Sequence, residues 1–343
     1  MSIRGAPRLT AAPPALIGAE LVRTLVPMPD AIEASRRGFG AAARGEITVP
    51  LRSSLSRERV LVMPAEHSSG SAVIKVISLQ PDGWASGLPS IGGGVLWIDG
   101  PTGQIAALID AAALTALRTG AASGLATSLL APPSSQVLAM LGAGDQAADQ
   151  VAGVCAARPI REIRVHSRRR QRSEELCERL RLGHPGVAVT PAESASRAVR
   201  GADVICTATR SAAPLFDAAD LKPAVHVNAV GSFRLDMCEV PPEAFRRADA
   251  VVIDQLAAAL AEAGDLVQAL DGGYLRREDI VEIGQLLTGG AAAPASRPPG
   301  GLTIFKSVGI AAQDWAVGEL VVRRARETGA MPGGPGDDGT AVA

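Results

Sequence analysis

Residues 136–147 read Gln-Val-Leu-Ala-Met-Leu-Gly-Ala-Gly-Asp-Gln-Ala, and residues 163–168 read Ile-Arg-Val-His-Ser-Arg. The first stretch is an apolar strand running into Gly142-x-Gly144-x-x-Ala147 at the mouth of an alanine-rich helix. Gly142 allows a tight turn, Gly144 lets a pyrophosphate approach the backbone, and Ala147 is small enough for close helix–strand packing. The amides that open such a helix favour phosphate charge. The second stretch is the next strand, whose end distinguishes the nicotinamide cofactors. An NAD site places Asp or Glu there to bond the ribose hydroxyls. This chain has Ser167 and Arg168, followed by Arg169, Arg170 and Arg172, with no acid before Glu174. A hydroxyl and a guanidinium suit a 2′-phosphate, which an acid would repel. The stretch therefore predicts a dinucleotide-binding βαβ unit that prefers NADPH, with NADH less favoured. A glycine-rich turn in some other α/β domain is the plain alternative. Strand context, spacing and the basic second strand together argue against it.

Working outward, strands and helices alternate from residue 136 onward. Strands are expected at Val137–Leu141, Ile163–His166, Val187–Val189, Val204–Cys206, Val225–Val230 and Ala250–Asp254, with helices such as Arg172–Leu182 and Ser194–Arg200 between them. That alternation predicts a parallel sheet covered on both faces. The first 120 residues differ. A helix at Ala31–Arg44 precedes short strand-like runs at Arg59–Met63, Ala72–Ser78, Gly94–Asp99 and Ile105–Ile109, punctuated by Gln80-Pro-Asp-Gly and Pro101-Thr-Gly. These predict a mostly antiparallel sheet. A helix over Ala112–Leu130 leads into the nucleotide part, and a helix over Val308–Glu327 is expected to pack back on the first part. The tails 1–14 and 328–343 are rich in Ala, Gly, Pro and Asp and are expected to be loose.

The chain has 343 residues, enough for two domains of roughly 100–200 residues each. With 47% hydrophobic and only 3% aromatic residues, its cores must be aliphatic. A formal net charge of −1 gives no electrostatic reason to expect nucleic acid or an anionic membrane as partner. Cys155, Cys177, Cys206 and Cys238 show no Cys-x-x-Cys and no histidine spaced for zinc, so reduced thiols and no metal are expected. The N-terminus lacks a continuous apolar stretch after its arginines, and no window approaches the ~20 apolar residues of a membrane span. A cytoplasmic protein is expected.

Several separate stretches resemble the ornithine cyclodeaminase/μ-crystallin family. They are Pro50-Leu-Arg52, Met63-Pro64, Ile74-Lys75-Val76, Ser86-Gly-Leu-Pro-Ser90, Leu114-Thr-Ala-Leu-Arg118-Thr119-Gly-Ala-Ala, Leu141-Gly-Ala-Gly-Asp-Gln-Ala147, Val227-Asn-Ala-Val-Gly231, Ala263-Gly-Asp265 and Thr303-Ile-Phe-Lys306-Ser307-Val-Gly309. They fall in the family's order across about 45–325. The resemblance implies an α/β protein: a Rossmann-type NAD(P)-binding domain at 126–306, plus an N-terminal α+β substrate-binding and dimerisation domain at 1–125 with 307–330, and a flexible tail at 331–343. It implies a homodimer, a nicotinamide cofactor, and chemistry at the carbon alpha to a carboxylate. Gly142, Ala143, Gly144, Asp145 and Gln146, with Ser167, Arg168 and Arg169, are the expected cofactor contacts. Thr119, Thr207, Ala208, Thr209, Val230, Gly231 and Ser307 complete the set it implies. For Thr119, a helix hydroxyl bonded to backbone is the alternative.

The resemblance places Arg52 and Arg118 where the family's carboxylate clamps fall, and bidentate arginines suit that role physically. Lys75 lies in the apolar run Ala-Val-Ile-Lys-Val-Ile, an expensive location unless the lysine is paired or used. Beside two arginines its pKa should fall, which suits proton transfer near neutral pH. For all three, an ordinary ion pair at an element end is the alternative. Ser90 lines the pocket or is a plain turn residue.

One departure separates branches of the family. Cyclodeaminases carry a catalytic Asp after Asn-Ala-Val-Gly and then a Pro-Gly-Lys segment. Here the loop reads Gly231-Ser-Phe233-Arg-Leu235-Asp236-Met-Cys-Glu239, so the Asp position holds Phe233. The ketimine-reductase branch shows this Ser-Phe/Tyr-Arg-x-Asp-Met pattern, although usually with Pro where Leu235 stands. The expected activity is NADPH-dependent reduction of a cyclic imino acid, Δ1-pyrroline-2-carboxylate or its six-membered homologue. Reductive amination of a 2-oxo acid, ornithine cyclodeamination and non-catalytic NADPH-dependent binding are the alternatives.

Overall fold

The computed structural model describes residues 13–55, 59–80, 90–290 and 300–331. The Gln80-Pro-Asp-Gly turn beyond Gln80, Ser86–Pro89, and the tails before 13 and after 331 lie outside these residues. The first part runs β1 (Ala15–Ile17), α1 (Ala19–Leu25), α2 (Met28–Ala43), β2 (Ile47–Thr48), β3 (Ser53–Leu55), β4 (Val60–His67), β5 (Ala72–Leu79), β6 (Ile91–Ile98) and β7 (Ile105–Asp110). Its strands pair in the order β1-β7-β6-β5-β4-β2, with β3 also on β4. Every pairing is antiparallel except β1 with β7. Sequence reading missed β1 and α1, whose apolar residues are too few to show a period.

Side chains alternate across this sheet. Leu61, Met63 and Ala65 of β4, Val73, Lys75 and Ile77 of β5, and Val95 and Trp97 of β6 point inward and are buried. In register, Lys75 sits between Met63 and Val95. The opposite face is also apolar. Leu16, Leu108, Leu96, Ile74 and Pro64 line up across β1, β7, β6, β5 and β4, and Leu16 is 77% exposed.

α3 (Ala111–Leu130) follows β7, with Asp110 capping its start by accepting from Ala113 N at 2.7 Å. Arg118 apart, its residues are apolar or small on every side, and all from Ala113 to Thr127 are buried. A helix without a polar face belongs in an interior. It packs against α2 and, more extensively, against α4 (Ala147–Ala157). A Cβ on Gly120 would stand 2.2 Å from Asp149 O, and one on Gly153 2.0 Å from Gly120 O. The two helices thus meet backbone to backbone, and no other residue fits at either position.

The second sheet carries the dinucleotide motif. Its elements are β8 (Val137–Leu141), β9 (Glu162–His166), α5 (Arg170–Gly183), β10 (Ala188–Pro191), α6 (Ala195–Val199), β11 (Val204–Thr207) and β12 (Val225–Ala229). Then come α7 (Pro242–Arg247), β13 (Ala250–Ile253), α8 (Leu256–Glu262), α9 (Gly264–Asp271), β14 (Ile280–Glu282), α10 (Ile283–Thr288) and β15 (Leu302–Lys306). The order is β10-β9-β8-β11-β12-β15-β13-β14, parallel throughout. This is the doubly wound Rossmann arrangement, with β8 and β11 adjacent where the chain changes direction.

The expected terminal helix is shorter than Val308–Glu327. β15 is inserted between β12 and β13, Val308–Ile310 form a connection, and α11 (Ala311–Glu327) begins after it. α11 crosses back onto the first sheet, packing on β4 and β5 and on α2. The expected boundary at 125/126 falls inside the continuous α3.

Candidate active site

The ends of β8, β11, β12 and β15 open on one edge of the parallel sheet, the usual ligand crevice of this architecture. Gly142 turns there with φ +114°, and a Cβ on it would lie 2.6 Å from Ala208 O. A Cβ on Gly144 would meet nothing within 4 Å, so that side of the turn stands open for a phosphate. At the end of β9, Arg168 is exposed and has no intramolecular partner among the described residues. Ser167 Oγ donates to Arg169 O at 2.7 Å and accepts from Ser173 Oγ at 3.2 Å.

The three expected cations converge from separate elements. Lys75 Nζ on β5 is fully buried and lies 2.6 Å from Asp314 Oδ2 on α11. Arg118, in the middle of α3, places Nε 3.2 Å from Asp314 Oδ1 and donates through Nη1 to Gln313 Oε1 at 3.2 Å. Arg52 approaches between β2 and β3. Its Nη2 lies 2.6 Å from Glu262 Oε2 and donates to Phe233 O at 3.1 Å, while its guanidinium carbon sits 5.8 Å from the Phe233 ring centre. Arg52, Met63, Glu262, Gly309 and Ala311 line a small cavity beside it. Burial pushes Lys75 down to about 7, with Arg118 and Arg52 adding to the drop and Asp314 pulling against it. Burial likewise lowers Arg52, against the pull of Glu262. Three cations face two ion-paired carboxylates, so the group has room for one more negative charge.

Three further expected residues bond within the chain itself. Ser90 reaches the glycine turn rather than the cations: its N and Oγ donate to Asp145 Oδ2 at 2.9 and 2.6 Å. Thr119 Oγ1 donates to Thr115 O at 2.6 Å, the backbone bond a helix hydroxyl makes when nothing else claims its hydrogen. Ser307 Oγ is buried and donates to Asp254 Oδ2 at 2.9 Å. That carboxylate also accepts from the amides of Val308 and Gly309, so Ser307 helps fix the β15–α11 connection.

Four acidic side chains and one amide escaped sequence reading. Asp254 holds the connection, Glu262 pairs Arg52, and Gln313 and Asp314 receive Arg118. Gln313 Nε2 is buried without a hydrogen-bond partner among the described residues. Glu239 is fully buried and accepts from Thr207 Oγ1 and the amides of Thr209, Gly231 and Ser232, so it ties the β11 and β12 loops together. Burial raises its pKa against the pull of nearby Lys306. The signal for Asp314 was present in Ala-Ala-Gln-Asp-Trp-Ala-Val, an acid in an apolar run like Lys75 in its own.

The sequence profile of the ornithine cyclodeaminase/mu-crystallin family matches residues 15–329. The chain belongs to this family. It is 34% identical over 322 residues to the Δ1-pyrroline-2-carboxylate reductase of Bacillus cereus, covering 92% of this chain and 97% of that one. It is 32% identical to the ketimine reductase mu-crystallin of Mus musculus, covering 84% and 89%. The solved structure of Thermococcus litoralis Δ1-pyrroline-2-carboxylate reductase in complex with NADH and L-proline superposes with a TM-score of 0.87 at 30% identity, covering 92% of this chain and 98% of that one. In this member of the ornithine cyclodeaminase/mu-crystallin family, Phe233 stands against Arg52 at the cation group. Asp236, the nearby acid in the same loop, is exposed and ion-paired with Arg234.

Proposed function

We propose that the chain is an NADPH-dependent reductase of a cyclic imino acid, converting Δ1-pyrroline-2-carboxylate to proline, or its six-membered homologue Δ1-piperideine-2-carboxylate to pipecolate. The observation that carries this reading is the convergence of Arg52, Lys75 and Arg118 on one buried point short of a carboxylate. The two arginines take the substrate carboxylate, and the spare amide donor of Gln313 suits the same group. When bound, the dinucleotide supplies the hydride that ends on the carbon alpha to that carboxylate. Lys75 supplies the proton that ends on the ring nitrogen, directly or through water, and recovers it from solvent. One imine, one NADPH and one proton thus give one amine and one NADP⁺. A lysine near 7 is matched to that transfer at neutral pH. Phe233 gives the pocket an apolar wall for a hydrocarbon ring.

The glycine turn and the Arg168 guanidinium accommodate the cofactor, with Arg168 at the position that meets a 2′-phosphate. Residues 1–125 with 307–330 serve substrate binding and dimerisation, and 126–306 serve the dinucleotide. The outward apolar row Leu16, Leu108, Leu96, Ile74 and Pro64 supports a homodimer, since a contiguous apolar sheet face calls for a cover.

The test is NADPH oxidation with Δ1-pyrroline-2-carboxylate, with pyruvate plus ammonia, and with neither. Rapid oxidation with the imine alone is expected. Oxidation only with pyruvate and ammonia would replace this reading by an amino-acid dehydrogenase. No oxidation with either, despite bound NADPH, would leave a binding protein.

A further inference from the structure

We propose that Asp314 is a positioning residue of this site: by straddling Lys75 and Arg118 it aims the lysine amine and keeps the proton on it for transfer. The proposal rests on Lys75 being the proton donor, as assigned above.

The geometry carries it. One carboxylate serves two cations from two other elements, Oδ2 to Lys75 on β5 and Oδ1 to Arg118 on α3. Its own helix is pinned on several sides. Trp315 Nε1 donates to Ser71 Oγ at 3.1 Å and its ring stacks on His67 with centroids 4.4 Å apart. Further along, Arg324 pairs with Asp30 and Arg326 with Asp99. Asp314 therefore has little freedom to follow the lysine, and the lysine must point to it.

The charges around Lys75 show why that matters. From α11 it meets Asp314, from α3 Arg118, and from the β2–β3 segment Arg52, which answers in turn to Glu262 of α8 and Asp254 beyond β13. The register partners on β4 and β6 are uncharged Met63 and Val95. In a dry pocket beside two guanidinium groups, an amine without a contacting anion sheds its proton. Asp314 is the anion in direct contact. Because Arg118 shares it, the lysine is held charged yet incompletely neutralised, a state from which a proton can be passed on.

The test is the pH dependence of kcat for imine reduction, at saturating NADPH and substrate. In the wild type kcat should fall as pH rises through about 7, as Lys75 loses its proton. Asp314→Asn should move that falling limb down by at least one pH unit. Half a unit above the wild-type midpoint, such a shift means a roughly eightfold loss of turnover, recovered as pH is lowered. Asp314→Glu, which keeps the charge, should return the limb to within about half a unit with a lower plateau. Asp314→Ser, which leaves room for water, replaces the asparagine variant if that fails to fold. A loss by the same factor at every pH, or an unmoved limb, would show Asp314 to be a structural partner only. Lys75→Gln separates this from the underlying reading. If it abolishes both turnover and the limb while Asp314→Asn leaves the limb in place, the proposal alone falls. If Lys75→Gln keeps turnover and limb, both fall together.

Discussion

Gly309→Ala should damage the substrate site while largely sparing the fold. Gly309 has φ +81°, where an alanine costs about 1–2 kcal/mol relative to glycine. A Cβ there would lie 2.5 Å from Nη1, 2.8 Å from Nη2 and 3.0 Å from Cζ of Arg118. The backbone cannot yield, because Asp254 accepts from the Val308 and Gly309 amides. The guanidinium, at the end of a flexible side chain, is what moves. It then loses its alignment with Gln313 and with the substrate carboxylate. A charge-assisted hydrogen bond is worth about 1.5–3 kcal/mol, so kcat/KM for the imine should fall by roughly ten- to a hundredfold. Steady-state kinetics, NADPH binding by fluorescence and a thermal melt read the three consequences separately. NADPH affinity should stay within about twofold, since Arg118 meets no part of the glycine turn. In an Arg118→Ala background, Gly309→Ala should add almost nothing to the kinetic loss. Additive kinetic losses in the double variant, or imine kinetics unchanged by Gly309→Ala, would refute the reasoning.

Arg168→Ala should erase most of the preference for NADPH, about ten- to a hundredfold in Kd, and leave NADH binding nearly unchanged; equal wild-type affinities for the two cofactors would sink the assignment. Ornithine should yield neither proline nor ammonia at rates comparable with imine reduction, because Phe233 offers no base and Asp236 is spent on Arg234 at the surface. Phe233→Asp alone should not restore cyclodeamination, as the Pro-Gly-Lys segment is missing as well; product analysis by chromatography decides both. Burial lowers His226 from 6.5 to about 4, so the unfolded chain binds that proton first. Its contribution to stability should be complete above about 6.5 and be lost as pH falls toward 4, by about 3 kcal/mol. Urea unfolding across that window should show the slope, and His226→Gln should flatten it.

The nucleotide part was legible because its signal is local: an apolar strand, a glycine turn and the next strand lie within a few dozen residues. β15 was not. Its motif was read as a family signature, yet the five residues Leu302–Lys306 reach the middle of the sheet only after a long excursion through β13 and β14. Lys75, Arg52 and Arg118 stood out as charges in apolar runs or at family motifs. Their partners are 196 to 239 positions away for Asp314, a separation no periodicity can report. Ser90, Thr119 and Ser307 show what a motif leaves out: each hydroxyl donates to a carboxylate or carbonyl of the chain itself, a partner the motif does not name.

The backbone contact of Gly120 with Gly153 has a consequence for how this protein could change its chemistry. One helix carries Arg118 and the other starts beside the glycine turn, so in the proposed reaction the gap between a substrate's carboxylate and the cofactor's phosphates would be set by a gauge with no adjustable parts. New substrates cannot be admitted by tilting one half of the molecule against the other at this weld. They must be fitted by exchanging the side chains that face the gap, as an acid is exchanged for an aromatic ring at Phe233. Directed evolution aimed at ring size should therefore enrich changes in the pocket loops and leave both glycines untouched.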